Sequence, residues 1–202
     1  AGIETLIDHV PADIKTVNVT NEHGSFELHS ETPTEISTDA NGKEVVSTTG
    51  ATVYTLVGFE DAALESGKPD AVANDAAAVK TTNVVDITGA NPEEYGLTKP
   101  RATVKITFNN GNERTVFVGN EAPGATGVYI KVNGDEGIYL VAVESVDSFL
   151  YKATALLDPA VTTAADTDEN ATPSKVTISG SNFPKTLEFI PNDDETVPSA
   201  YY

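Results

Sequence analysis

The chain has 202 residues, enough to bury a substantial core in one or two domains. Twelve Lys and Arg stand against 31 Asp and Glu, and the resulting charge of −19 repels phosphate backbones and anionic lipid surfaces, so nucleic acid is excluded as an expected partner. With no Cys there is no disulfide framework, thiolate zinc site or cysteine nucleophile, and no apolar run reaches the roughly 18 residues of a spanning helix.

The N-terminus lacks the basic and apolar regions of a signal peptide, while the absence of any Met and the start at Ala1 point to a leader or anchor removed upstream. Strands are expected near 14–20 and 25–30, joined by the turn Asn21-Glu22-His23-Gly24. A hairpin around Asn41-Gly42 follows, then a strand near 52–58, an Ala-rich helix through about 69–79, and a strand carrying Val84, Val85 and Ile87.

Residues 91–119 are dense in backbone punctuation. Asn91 is placed to cap a helical turn opened by Pro92, with Glu94 three residues on, where a carboxylate reaches back to free amides. Gly96 supplies the left-handed residue that ends the turn, Leu97 is positioned to dock on the core, and Pro100 prevents renewed helix. Ala102, Val104, Ile106 and Phe108 then share one face of a strand, and Arg101, Thr103, Lys105 and Thr107 the other. Asn109-Asn110-Gly111-Asn112 forms the turn to a return strand with Val116 and Val118, ending at Gly119.

The same pattern recurs at Gly127 to Ala142. Val128, Ile130 and Val132 alternate before Asn133-Gly134-Asp135, and Ile138, Leu140 and Ala142 alternate after it, which places Tyr129 and Tyr139 together on the opposite face. Val143, Val146, Phe149, Leu150, Ala153, Leu156 and Leu157 recur at helical spacing, predicting a covering helix over 143–157 that Asp158-Pro159 stops.

Residues 1–157 therefore read as one complete domain and 158–173 as an acidic, Ala- and Thr-rich linker. The segment 174–202 has two readings. Val176, Ile178, Leu187, Glu188 and Phe189 echo Val17, Val19, Phe26, Glu27 and Leu28, as expected for the start of a truncated second repeat. The alternative is a C-terminal hairpin that packs on the first domain. The fold class is α+β and β-rich, with antiparallel hairpins covered by one or two helices.

The run Glu94-Tyr95-Gly96-Leu97, Lys99-Pro100, the strand pair ending in Val118-Gly119, the Gly127 to Tyr129 stretch and Gly137-Ile138-Tyr139-Leu140-Val141 resemble the bacterial domain of unknown function 4340. The resemblance covers roughly residues 14 to 157. Family members often carry a Trp near the end of the opening β region. This chain has none, and Tyr54 is the residue expected in its place. The resemblance implies an envelope-exposed part of a bacterial protein behind an N-terminal membrane anchor, similar in some members to accessory components of gliding-type ABC transport systems. It brings no catalytic residues.

The residues themselves offer little chemistry. His9, His23 and His29 belong to no nucleophile motif, and the adjacent Glu93 and Glu94 diverge too far for paired acid–base work. The Gly-rich stretch from Gly119 to Gly127 lacks the Lys and following helix of a phosphate loop. Two acidic runs, Asp166, Asp168, Glu169 and Asn170, and Asn192, Asp193, Asp194 and Glu195, lack the ligand spacing of an EF-hand and read as solvated loops. The Asn18-Val19-Thr20 and Asn170-Ala171-Thr172 sequons are incidental in a bacterial protein.

No catalytic, cofactor-binding or metal-ligating residue is assigned, and no enzyme activity is expected. The expected function is a non-catalytic, membrane-anchored envelope interaction module whose partners are other envelope proteins or transporter subunits, without direct membrane insertion by this segment. The alternative is a cell-wall glycan or peptide binding module, for which Tyr129, Tyr139 and Tyr151 are the candidate aromatic face.

Overall fold

Strand alternation in the sequence becomes a single large sheet in the computed structural model, which describes residues 3–159, 175–178 and 186–189. Two compact units divide at Pro159. In the first, the elements run β1 (Thr5–Asp8), β2 (Ile14–Asn21), β3 (Gly24–Glu31), β4 (Thr34–Thr38), β5 (Glu44–Thr48), β6 (Val53–Leu56), α1 (Lys68–Ala77), β7 (Ala78–Lys80), β8 (Asn83–Asp86), β9 (Ala102–Phe108), β10 (Glu113–Glu121), β11 (Val128–Val132) and β12 (Ile138–Val141).

Eight strands form one antiparallel sheet in the order β6-β3-β2-β9-β10-β11-β12-β8, while β1 with β7 and β4 with β5 form separate pairs. The core lies on one face. Val19 of β2 stands opposite Val104 of β9, which stands opposite Val116 of β10, and all three are buried. Thr20, Thr103, Lys105 and Thr107 fall on the other, more open face, as an antiparallel sheet with one wet side requires.

Helix α1 covers the core face. Gly67 enters it in the left-handed region (φ 77°), Pro69 and Asp70 occupy its first turn, and Val72, Ala73, Ala76 and Ala77 form the buried stripe. It packs on β2 and on the turn at Asp147–Leu150, which also lies over β2 and β9. Phe149 of that turn and Phe108 of β9 are fully buried, each worth about 1.5–3 kcal/mol of hydrophobic stabilisation. The sequence-based strands and the 69–79 helix thus appear with small shifts in their ends, and the β-rich α+β class is observed.

Two expectations are overturned. Residues 143–157 form three short 3-10 turns, Val143–Ser145, Asp147–Leu150 and Ala153–Leu156, in place of one helix. The cause is long-range: the Asn21 side-chain amide donates to the carbonyls of Phe149 (2.9 Å) and Tyr151 (2.8 Å), acceptors a continuing helix would need. Tyr151 and Lys152 are correspondingly extended, with ψ of 149° and 147°. The apolar residues still reach the core, because over so short a stretch a three-residue and a 3.6-residue period cover similar positions.

Tyr129 and Tyr139 also do not share a face. Ile130 pairs with Tyr139 and Tyr129 with Leu140, so Tyr139 turns to the core and Leu140 takes the outer position. A register shift between Ile138 and Tyr139 against β8 lets both residues be buried and reverses the phase of the strand.

In the second unit, β13 (Val176–Ile178) pairs antiparallel with β14 (Leu187–Phe189). Its pairs Val176–Phe189, Thr177–Glu188 and Ile178–Leu187 repeat, position for position, the pairs Val17–Leu28, Asn18–Glu27 and Val19–Phe26 of β2 and β3. Lys175 Nζ meets Glu188 Oε1 at 2.6 Å.

Candidate functional site

The signature at 91–119 is a structural joint. Leu97 N–H donates to Pro92 O (2.9 Å) and Gly96 N–H to Glu93 O (3.2 Å), with Gly96 at φ 73°, the paired bonds of a Schellman stop. Asn91 itself has φ 52°, and its backbone carbonyl accepts from Glu94 N–H at 3.0 Å; the expected side-chain cap is replaced by this backbone bond. The turn then closes on the end of β10. Asn120 N–H donates to Tyr95 O at 2.8 Å, and a Cβ on Gly119 would stand 2.2 Å from that oxygen, so only Gly fits there. Leu97 rests on Gly119, and the Tyr95 ring meets Tyr129 edge-on at 4.9 Å.

Each histidine has a carboxylate neighbour. His9 Nδ1 lies 3.1 Å from Asp13 and its ring stacks on Phe108 at 4.0 Å. His23 stands 3.7 Å from Glu22 in the β2–β3 turn, and His29 Nε2 lies 2.6 Å from Glu27. The His29 contact, followed by a bond from Asn18, holds the Glu27 carboxyl below its ordinary range. The three are dispersed over separate parts of the fold, and among the described residues none has a hydroxyl as side-chain partner. Glu93 and Glu94 are exposed on the 91–97 turn.

A cleft of about 310 Å³ lies between α1 and the 143–151 turns, and sequence reasoning missed it. Ser148 Oγ, in a buried residue, donates to Asp75 Oδ2 at 2.5 Å, and Asp147, Glu144 and Tyr151 complete the walls. Burial pushes the Asp75 carboxyl above its ordinary range, the Ser148 bond opposes this, and the Asp147 charge adds to it. Lys68 Nζ sits 4.3 Å over the Tyr151 ring. The arrangement fastens α1 to the turns; it holds a single hydroxyl–carboxyl pair. Asp75 and Ser148 lie 73 positions apart, so no local spacing announces them.

The three tyrosines of the proposed aromatic face go to three places. Tyr129 packs on Tyr95 at the outer face, Tyr151 lies under Lys68, and Tyr139 is buried, its hydroxyl donating to Asp135 at 2.7 Å. Burial first, then Asp135, pushes the Tyr139 hydroxyl up to about 12. Tyr54 of β6 is half-buried against the core, with burial and Asp70 raising its hydroxyl to about 12. The acidic runs at 166–170 and 192–195 lie outside the described residues. Within the described residues no cluster of three or more His, Asp and Glu is placed to hold a metal.

The remaining unusual feature is an arm. Among the described residues strands β4 and β5 pair only with each other, and every one of their ten residues is exposed. Ile36 and Val46 stand directly opposite one another at 66% and 63% exposure. The Asn41-Gly42 turn was legible in the sequence, with Gly42 at φ 81°, but the isolation of the pair was not.

Comparison with known proteins gave no match among curated proteins and none among solved structures. One family match was found, over residues 55–177; it begins at β6, later than the expected residue 14, and runs past residue 157 into β13. That family is the domain of unknown function DUF4340, the match covers more than half of the chain, and the protein belongs to it.

Proposed function

We propose that this protein is a non-catalytic interaction module on the extracellular side of a bacterial cell membrane, anchored through a segment outside this sequence. Its partners on this reading are other envelope proteins, with an accessory place in an ABC-type transport complex. The observation that carries it is the β4–β5 arm, a projecting pair that spends three β-branched apolar residues, Ile36, Val45 and Val46, on solvent. An isolated two-stranded hairpin is marginal in water, so an arm of this kind gains its stability when another surface covers it. No helix among the described residues is long and apolar enough to cross a membrane. The glycan or peptide reading rested on a tyrosine face, and the three side chains do not converge.

A photo-crosslinking residue at Ile36, introduced into the protein as the bacterium expresses it, should capture another envelope protein. The same residue at Lys105, on the polar sheet face, should capture far less. Adducts confined to intracellular proteins, or hydrolysis of cell-wall material by the purified chain, would overturn the reading.

A further inference from the structure

Resting on that interaction-module reading, we infer that the β4–β5 arm accepts an extended, cationic segment of a partner protein as an added strand. Hydrogen-bond parity exposes the backbone for it. Asp39 N–H donates to Lys43 O and Thr49 N–H to Pro33 O, both at 2.9 Å, while the register pairs Thr38 with Glu44, Ile36 with Val46 and Thr34 with Thr48. Antiparallel pairs alternate between bonded and non-bonded, so these last three pairs are the non-bonded ones. The N–H and C=O groups of Thr34, Ile36 and Thr38 therefore point away from β5, and those of Glu44, Val46 and Thr48 away from β4. Among the described residues no strand pairs with either edge.

Those same residues put their side chains on one face of the pleat, with Ile36 and Val46 adjacent at its centre. An incoming strand would gain main-chain bonds at the edge and apolar contact beside it, the combination that drives strand addition. Neither strand contains Pro or Lys, and the register is uninterrupted by a bulge; the one guard each strand carries is an acid, Glu35 and Glu44, which repels an anionic strand and not a basic one.

Charge selects the occupant. Between residues 31 and 48, Glu31, Glu35, Asp39 and Glu44 face a single Lys43. The Asp39 carboxyl is held below its ordinary range, because it accepts from the backbone N–H groups of Lys43 and Asn41. A second copy would bring the same acids against the arm, and each chain carries −19, so self-pairing is opposed. A segment alternating apolar residues with Lys or Arg meets both the ridge and the charge.

The test is a titration of the isotope-labelled chain, followed by amide NMR, with a short peptide alternating Val and Lys and a counterpart alternating Val and Glu. The basic peptide should shift the amides of 34–38 or 44–48 and bind more weakly as salt is added. The acidic peptide, and the basic peptide against the double variant Ile36→Thr with Val46→Thr, should each bind about tenfold more weakly or worse. Both substitutions are at exposed positions, so folding is preserved. Equal binding of the two peptides, shifts centred outside the arm, or an unaffected double variant would overturn the inference; so would self-association that the double variant abolishes, which would assign the arm to a second copy. A crosslink at Ile36 without preference for the basic peptide would remove the cationic strand and leave the interaction module standing.

Discussion

Asp75 is a half-buried residue of α1 with the Ser148 hydroxyl as its close partner. Its carboxyl is raised in the folded state, chiefly by burial, so the native protein holds this proton more tightly than the unfolded chain does. The group's favourable contribution is therefore complete below the unfolded carboxyl pKa and is lost as pH rises through the folded value. Glu27 acts in the opposite sense: held down by His29 and Asn18, it stabilises above the unfolded carboxyl pKa and loses that contribution as pH falls through its folded value. Asp75→Asn keeps an acceptor for Ser148 and removes the titration. Urea midpoints across a pH series should then decline less from acid to neutral pH than those of the parent, with stability at neutral pH equal to or above it. Nothing in the sequence near Asp75 signals this, because the burial is supplied by residues more than 70 positions away.

At the scale of elements, the joint between the 91–97 turn and β10 separates what local chemistry encodes from what packing adds. Gly96 was legible as a left-handed stop because the requirement lies in its own backbone angle. Gly119 was legible only as a strand end; its need for a bare Cα comes from the Tyr95 carbonyl, which is bonded to Asn120 and cannot withdraw. Gly119→Ala should cost about 1–3 kcal/mol through this clash, read as a lowered urea midpoint. Gly96→Ala should cost about 1–2 kcal/mol from its left-handed angle, since the Asn120 side chain it meets can rotate aside. The turns at 143–157 teach the converse. Their apolar spacing was read correctly as a buried face, but Asn21, about 130 positions earlier, takes the carbonyls and breaks the helix into pieces.

At the scale of the whole molecule, the end of the first unit is tied to its middle. Leu64 bridges Leu157, Glu65 N–H donates to Leu156 O and Asp158 N–H to Ala63 O, both at 2.9 Å. A chain ending at Pro159 keeps these ties and should therefore unfold in one cooperative transition. Ending it at Ala142 removes Phe149 and Leu156 from the core and should cost at least about 3–5 kcal/mol, the loss expected for a buried Phe alone. Thermal and urea melts of the two truncations check both outcomes. We propose the β13–β14 pair as the start of a second copy of the β2–β3 hairpin, since their cross-strand pairs correspond one to one.

Local chemistry was sufficient for the strands of the sheet, the Asn-Gly turns, α1, the stop at Gly96 and membership of the DUF4340 family. Each depends on residues within a few positions of one another, where side-chain alternation and allowed φ angles act directly. The eight-strand order, the inward turn of Tyr139, the broken helix, the Asp75–Ser148 clasp and the solitary exposure of β4 and β5 were decided only by tertiary structure. In each of these the deciding partner, or its absence among the described residues, is set by packing between distant segments, and the local pattern is equally compatible with the other outcome.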